Sequence, residues 1–166
     1  MTQTTRVNGQ RLWQRLMDMA AIGATIKGGC NRQALTDLDK QGRELFIGWC
    51  TDAGCSIRID RMGNIFARRA GLQVDLPPVI TGSHLDTQPT GGKFDGVYGV
   101  LAGLEVIQCL NDHQIITQHP IELVVWTNEE GARFSPAMIG SGVWCGEFSE
   151  AYGHARTDKQ GVTIGQ

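Results

Sequence analysis

The sequence predicts an α/β fold: a three-layer αβα sandwich around a mixed, mainly parallel sheet. Two observations support this prediction. A short β-branched run, VIT, is followed by a glycine-rich segment, a helical pattern and the apolar run IELVVWT at residues 121–127, which is the order of a βαβ unit. The second run is apolar almost throughout, as in strands that are buried on both faces of a parallel sheet.

The N-terminal part of the chain has the pattern of two helices. Residues 9–22 place apolar side chains at helical spacing, namely Leu12, Trp13, Leu16, Met19 and Ala20. Thr36, with Asp39 three residues later, is a variant of the capping box and predicts the start of the second helix. Gly54 is its predicted end. Its predicted inner face consists of Leu38, Leu45, Phe46 and Trp49.

Strands and a third helix follow. CSIRID alternates apolar and polar residues, RMGN is typical of a turn, and IFARRAG resumes the strand pattern, so a hairpin or a pair of strands is expected. A helix is predicted from near Gly96. Its apolar face consists of Val97, Val100, Leu101, Leu104 and Ile107.

Composition and charge exclude several classes of protein. Hydrophobic residues make up 41% and charged residues 19% of the chain, which is ordinary for a soluble globular domain. The net charge of -2, with acids and bases interspersed, gives no electrostatic basis for binding nucleic acid or an anionic membrane. We find no signal-peptide pattern and no apolar run near the roughly 20 residues that span a bilayer. Five cysteines without a CxxC pair favour reduced thiols, so a cytoplasmic location is expected.

The segment TGSHLDTQPTGGKFDGVYG contains the first candidate site residues, His84 and Asp86. A lone histidine is more often a surface or core residue than a ligand. Here it ends a predicted strand, where side chains two residues apart point the same way. The Asp86 carboxylate is therefore expected to accept the second N–H of the imidazole, as carboxylates beside metal-binding histidines do. Both interpretations of His84 stay open on this evidence.

Three further carboxylates lie near predicted element ends. Asp95 precedes the third helix, where it can cap the N-terminus with one oxygen and bridge two cations with the other. Glu129 and Glu130 follow the strand at 121–127. They either form a solvated turn or share cations that remove their repulsion, one binding metal and the other acting as a general base. Because sites in α/β proteins lie at the carboxyl ends of strands, these groups are expected to be neighbours.

Two blocks, GSHLDTQPTGGKFDGVYGVLAGLE and TNEEGARF, resemble the signature blocks of the M20-type metallohydrolases. They are most similar to the amidase and carbamoylase branch: N-carbamoyl-L-amino-acid hydrolases, allantoate amidohydrolases and β-ureidopropionases. The resemblance implies a zinc-exopeptidase-like catalytic domain. In it, His84 would bind one metal, Asp95 would bridge both and Glu130 would bind the other. Glu129 would be the general base and Asp86 would orient His84.

The resemblance also implies an activity. Such enzymes hydrolyse a carbamoyl or ureido C–N bond with two divalent ions (zinc, manganese, cobalt or nickel) per subunit, and commonly form homodimers. An N-carbamoyl-L-amino acid would yield the amino acid, carbon dioxide and ammonia. Two alternatives stay open: an aminoacylase or dipeptidase of the same superfamily, and a non-catalytic truncated remnant. A Rossmann-type nucleotide binder is disfavoured because no GxGxxG directly follows a strand.

Members of this branch are longer than this chain. We therefore expect residues 1–166 to be the N-terminal part of the catalytic domain, without the dimerisation or lid domain and the C-terminal catalytic part. The family's two further histidine ligands lie beyond the resemblance, whereas His113, His119 and His154 are expected to be surface or structural residues. With at most two or three ligands per ion, the chain alone is expected to bind metal weakly and to have no appreciable activity. An exposed apolar sheet edge and a tendency to associate are also expected.

Overall fold

The computed structural model describes residues 5–166 and confirms an α/β fold. The described elements, in chain order, are α1 (Gly9–Ala21), α2 (Asp37–Asp52), β1 (Ser56–Ile59), β2 (Ile65–Arg69), β3 (Val79–His84), α3 (Val97–Asp112), β4 (Ile121–Trp126), α4 (Ile139–Trp144) and α5 (Glu150–His154). Within this part of the chain, no helix has the length and apolar character to cross a membrane.

The four described strands form one mixed sheet in the order β1-β2-β4-β3. A tight turn joins β1 to β2, which makes this pair antiparallel, and β2 is also antiparallel to β4. The crossover through α3 makes β3 parallel to β4, so the parallel part of the described sheet is limited to this pair. Its register ends with His84 opposite Trp126. The segments after β3 and β4 therefore leave the sheet at the same end of the two strands, and the candidate site lies there.

The N-terminal caps of the first two helices are side chains. Asn8 accepts a hydrogen bond from the amide of Arg11 at the start of α1. Thr36 accepts one from the amide of Asp39 at the start of α2, as the sequence predicts. Each cap satisfies an amide that has no partner within its own helix and typically contributes about 1 kcal/mol.

Helices α1, α2 and α3 cover one face of the sheet. The main apolar cluster joins Leu16 and Met19 of α1 and Phe46 of α2 to the strands and to α3. All five residues of the predicted apolar face of α3 are buried. Burial of one large aliphatic or aromatic side chain contributes about 1.5–3 kcal/mol. Two residues of the predicted helical faces are instead exposed, Trp13 and Leu38. The Trp13 ring lies 5.9 Å from that of Phe94, outside the main cluster.

The opposite face of the sheet is covered by the chain after β4. Phe66 and Trp126 pack edge to face with ring centroids 6.0 Å apart. Trp144 of α4 lies 5.4 Å from the Trp126 ring. Helices on both faces give the predicted three layers. Strand β3 lies at the edge of the described sheet, where Val79 and Ile80 are exposed, so the expected apolar edge is present.

Candidate metal centre

His84 ends β3, and its side chain is only 7% exposed. Its Nδ1 lies 2.8 Å from the carbonyl oxygen of Asp86. A carbonyl can only accept, so Nδ1 carries a proton. Gly96 passes directly over the ring, since a Cβ at this position would overlap it. Glycine is also suited to this position because its φ is 66°. The loop that carries Asp95 therefore lies against the imidazole.

Asp86 is almost fully buried, at 1% exposed. Its carboxylate accepts hydrogen bonds from the amides of Glu129 at 3.3 Å and Glu130 at 3.2 Å. This differs from the expected bond to the imidazole: the carboxylate lies 3.9 Å from Nδ1, and the Asp86 carbonyl makes the contact instead. Two backbone amides therefore take the place of the ring N–H as donors to this carboxylate.

Burial raises the pKa of Asp86 to about 6. The nearby carboxylate of Asp39 adds to this rise, since it disfavours a second negative charge. His84 and the amides of Glu129 and Glu130 oppose it. Asp86 is thus a buried acid whose negative charge depends on the backbone of the segment after β4.

We call residues 127–131, which follow β4, the acidic turn. Asn128 has a left-handed φ of 54°. Its side chain donates to the carbonyl of Phe134 at 2.7 Å and accepts from the amide of the same residue at 3.3 Å. Asparagine adopts this backbone region more readily than most residues. These two hydrogen bonds hold the turn in a conformation that directs Glu129 and Glu130 back toward β3.

The two glutamates of the acidic turn have different neighbours. Glu129 is one-third exposed, and its Oε2 lies 3.3 Å from Nε2 of His84. Glu130 accepts a hydrogen bond from the side-chain amide of Gln88 at 3.0 Å. The sequence prediction that groups after β3 and after β4 become neighbours is thus correct for His84 and Glu129.

Asp95 is exposed, and its carboxylate has no hydrogen-bond or ion-pair partner among residues 5–166. The prediction that it caps α3 is wrong. Gly96 is the N-cap residue, and no side chain caps this helix. The reason is local, since the left-handed Gly96 separates Asp95 from the first helical turn. Its carboxylate is left free for another partner.

The residue types at this site are ones that bind divalent cations, but their positions match a metal site only in part. Nδ1 of His84 is a donor, so Nε2 of the neutral ring is an acceptor that faces a carboxylate oxygen, and a proton or a cation has to lie between them. Imidazole nitrogen and carboxylate oxygen are both common zinc ligands. Across residues 5–166, however, no group of three or more His, Cys, Asp or Glu side chains is close enough to hold a metal. His84, Asp95 and Glu130 are thus not gathered into one ligand set.

Arg32 supports the site and was not predicted from the sequence. The fully buried Arg32 donates to the carbonyl of Leu85 at 3.0 Å, directly between His84 and Asp86. It also donates to the carbonyls of Met19 and Ile22 at the end of α1. Nothing in the local sequence signals this role, because these carbonyls come from distant segments.

The remaining histidines bind backbone carbonyls at 2.7–2.8 Å, as expected for structural residues: His113 to Cys109, His119 to Pro77 and His154 to Arg61. All five cysteines are free thiols. A cleft of about 520 Å³ lies beside α2 and the β1–β2 hairpin. This cleft does not include His84 or the acidic turn. The candidate site is therefore identified from its side chains and not from a cavity.

Comparison with known proteins identifies the class to which this fold and site belong. Residues 80–163, which contain His84, Asp95 and the acidic turn, match the model of Peptidase family M20/M25/M40. The match covers half of the chain, and the chain belongs to this family.

Within the family, the chain is similar to particular amidohydrolases. It is 55% identical over 163 residues to the N-carbamoyl-L-amino-acid amidohydrolase of Rhizobium meliloti and 40% identical over 160 residues to that of Geobacillus stearothermophilus, covering 98% and 96% of this chain. The crystal structure of an amidase of the hydantoinase/carbamoylase family from Burkholderia multivorans superposes with a TM-score of 0.96 at 62% identity, over 97% of this chain. The chain spans 39% of the length of each of these three proteins.

Proposed function

We propose that this chain is the N-terminal part of the catalytic domain of a metal-dependent hydrolase that cleaves linear amide and carbamoyl C–N bonds. Its proposed substrates are N-carbamoyl-L-amino acids, which yield the amino acid, carbon dioxide and ammonia. The observation that carries the proposal is the 3.3 Å approach of Glu129 to His84 at the ends of two parallel strands. The names of the relatives at 55% and 40% identity support the substrate class.

In this proposal, His84, Asp95 and Glu130 hold two divalent cations, which are zinc, manganese, cobalt or nickel. Further ligands come from the rest of the full-length enzyme. When bound, the cations neutralise the carboxylates and stabilise the negative charge that develops on the carbamoyl oxygen. The free carboxylate of Asp95 supports a ligand role for this residue.

Glu129 is the proposed general base. One-third of its side chain is exposed, so a water molecule can reach the carboxylate. Glu129 takes one proton from this water as the oxygen attacks the carbamoyl carbon, then delivers it to the leaving nitrogen as the C–N bond breaks. Asp86 positions both glutamates through their amides and His84 through its own carbonyl.

The proposal extends to the full-length protein. Its dimerisation or lid domain and the C-terminal part of its catalytic domain would lie outside residues 1–166, and the enzyme would be a cytoplasmic homodimer. The proposed partner is a small N-carbamoyl or ureido substrate. We expect this chain alone to have no appreciable activity.

Two observations favour alternatives. The family name includes peptidases, which favours an aminoacylase or dipeptidase. The incomplete ligand set favours a non-catalytic remnant. The first is tested by assaying the proposed full-length enzyme, loaded with Mn²⁺, on N-carbamoyl-, N-acetyl- and dipeptide substrates, and the second by metal analysis of the purified chain.

We expect the carbamoyl substrate to have the highest kcat/KM. Glu129→Gln should lower its kcat by at least about 100-fold, the usual size of a general-base contribution. Glu147→Gln is the matched control, since Glu147 is exposed and outside the site. Faster hydrolysis of dipeptides would establish the peptidase alternative. Metal analysis in which the purified chain holds no ion, and His84→Ala and Glu129→Gln do not differ from wild type, would establish the remnant.

A further inference from the structure

Thr127, the first residue of the acidic turn, is fully buried and paired through every polar group. Its amide donates to the side-chain oxygen of Asn64 at 2.9 Å. Its carbonyl accepts from the amide of Gly140 at 3.1 Å. Its hydroxyl accepts from the guanidinium of Arg43 at 3.2 Å. Three separate segments therefore fix the point at which the chain leaves β4.

Arg43 joins three parts of the fold through one guanidinium. Besides Thr127, it binds the carboxylate of Asp39 at 2.8 Å and the carbonyl of Gly63 at 2.7 Å. Its side chain is 11% exposed, and that of Asp39 is fully buried. Gly63 also packs on the Thr127 hydroxyl, since a Cβ there would lie 3.3 Å from it. A planar group with five N–H donors can hold these partners at once, and an ammonium cannot reproduce this geometry.

The fixed position of Thr127 is transmitted along a short, clamped segment. Asn128 is held by Phe134, and the carbonyl of Glu129 accepts from the amide of Met138 at 2.8 Å. The amides of Glu129 and Glu130 donate to the carboxylate of Asp86. These bonds leave the backbone from Thr127 to Glu130 little freedom to adjust locally. A rotation at Thr127 would therefore be carried along the turn and would move the Glu129 carboxylate relative to His84.

We propose that Arg43 is a positioning residue that, through the hydroxyl of Thr127, sets where the acidic turn places Glu129 and Glu130 relative to His84. Asp39 keeps the guanidinium in place and balances its charge. Arg43 does not touch the reacting atoms in this proposal. Its effect on chemistry rests on the proposed function, whereas its effect on the order of the turn does not.

The test is amide hydrogen exchange of the present chain, measured by NMR, in wild type and Thr127→Val. Valine keeps the shape of threonine and removes the acceptor of the Arg43 bond. We expect exchange at Glu129 and Glu130 to accelerate about tenfold, the effect of losing one net hydrogen bond. Exchange at Leu123 and Val124 in β4 should not change.

Two further variants separate positioning from general packing. Thr127→Ser keeps the hydroxyl and should restore slow exchange at both glutamates. Arg43→Lys keeps the positive charge beside Asp39 but lacks the planar set of N–H donors of the guanidinium, and should behave like Thr127→Val. In the proposed full-length enzyme, Thr127→Val should lower kcat with KM nearly unchanged, because Glu129 acts in the transition state.

The inference is overturned if Glu129 and Glu130 exchange equally in Thr127→Val and wild type, or if their amides are unprotected in wild type. It is also overturned if Leu123 and Val124 accelerate as much as the glutamates, because the loss is then global. These results do not depend on metal or substrate. If the full-length protein hydrolyses no carbamoyl substrate, the proposed function fails and the exchange data still decide the role of Arg43.

Discussion

Nε2 of His84 lies 3.3 Å from a carboxylate oxygen of Glu129, although Nδ1 of the same ring already donates to the carbonyl of Asp86. Nε2, the ring nitrogen left for a proton or a cation, thus faces an acid across the ends of β3 and β4. This relationship depends on the parallel pairing of the two strands, on Gly96 over the ring and on Asp86 beneath the acidic turn. It is the structural basis of the proposed metal centre.

The buried carboxyl of Asp86 should make stability depend on pH. Its pKa of about 6 in the folded chain lies above the ordinary 3.8, so between these values the folded state binds the proton more tightly than the unfolded state. This contribution to stability is fully present below the unfolded pKa and is lost as pH rises through the folded pKa. Urea unfolding gives the free energy of unfolding of wild type and of Asp86→Asn. The value for wild type minus the value for Asp86→Asn should fall from about pH 4 to about pH 7.

The control for this experiment is Asp75→Asn, because Asp75 is exposed. Its difference from wild type should show no such fall. A difference for Asp86→Asn that rises with pH would mean that the carboxylate is stabilised, not disfavoured, in the folded chain.

Arg32→Met should destabilise the chain by about 1–3 kcal/mol, because it leaves the buried carbonyl of Leu85 without its donor and removes one of the donors to the carbonyls of Met19 and Ile22. Arg61→Met is the matched control. Arg61 is 80% exposed, and a change of less than about 0.5 kcal/mol is expected there. Equal effects of the two substitutions in urea unfolding would contradict the role assigned to Arg32.

The exposed edge of β3 should promote self-association. Its backbone groups and the exposed Val79 and Ile80 offer a template for another strand. Ile80→Lys should lower the associated fraction in light scattering over a series of protein concentrations, because a charged edge disfavours pairing. Leu72→Lys, at an exposed residue outside the strands, should leave it unchanged. Association that is insensitive to residue 80 would place the contact elsewhere.

The chain alone should bind metal weakly. With no group of three candidate ligands in residues 5–166, the chain offers fewer ligands than structural zinc sites use. Calorimetric titration with zinc or manganese should therefore show weak binding. His84→Ala should weaken any binding further, whereas His119→Ala, whose ring contacts the Pro77 carbonyl, should not. Nanomolar binding of two ions to wild type would contradict this expectation.

Much of the fold could be predicted because its local patterns agree with its packing. The apolar face of α3, the cap of α2 by Thr36 and the parallel pairing of β3 with β4 follow from spacing and element order. The exposure of Trp13 and Leu38 could not be predicted, because helical spacing identifies a face but not the neighbours that cover each of its positions.

The candidate site was predictable in its residues but not in its contacts. Strand-end placement brings His84 and Glu129 together, as expected. The actual partners of Asp86 are amides 43 and 44 residues away, and two partners of Arg43, Gly63 and Thr127, are 20 and 84 residues away. Such long-range contacts between polar side chains and backbone groups leave no periodic signal in a sequence.

The central claim is that His84, Asp95 and Glu130 bind two cations while Glu129 stays free as the base. The most direct test is a crystal structure of the proposed full-length enzyme with Mn²⁺, recorded at the manganese absorption edge. Two anomalous peaks roughly 3.5–4 Å apart are predicted, with Asp95 bound to both, His84 to one and Glu130 to the other. Peaks bound by other residues, or none near His84, would contradict the account.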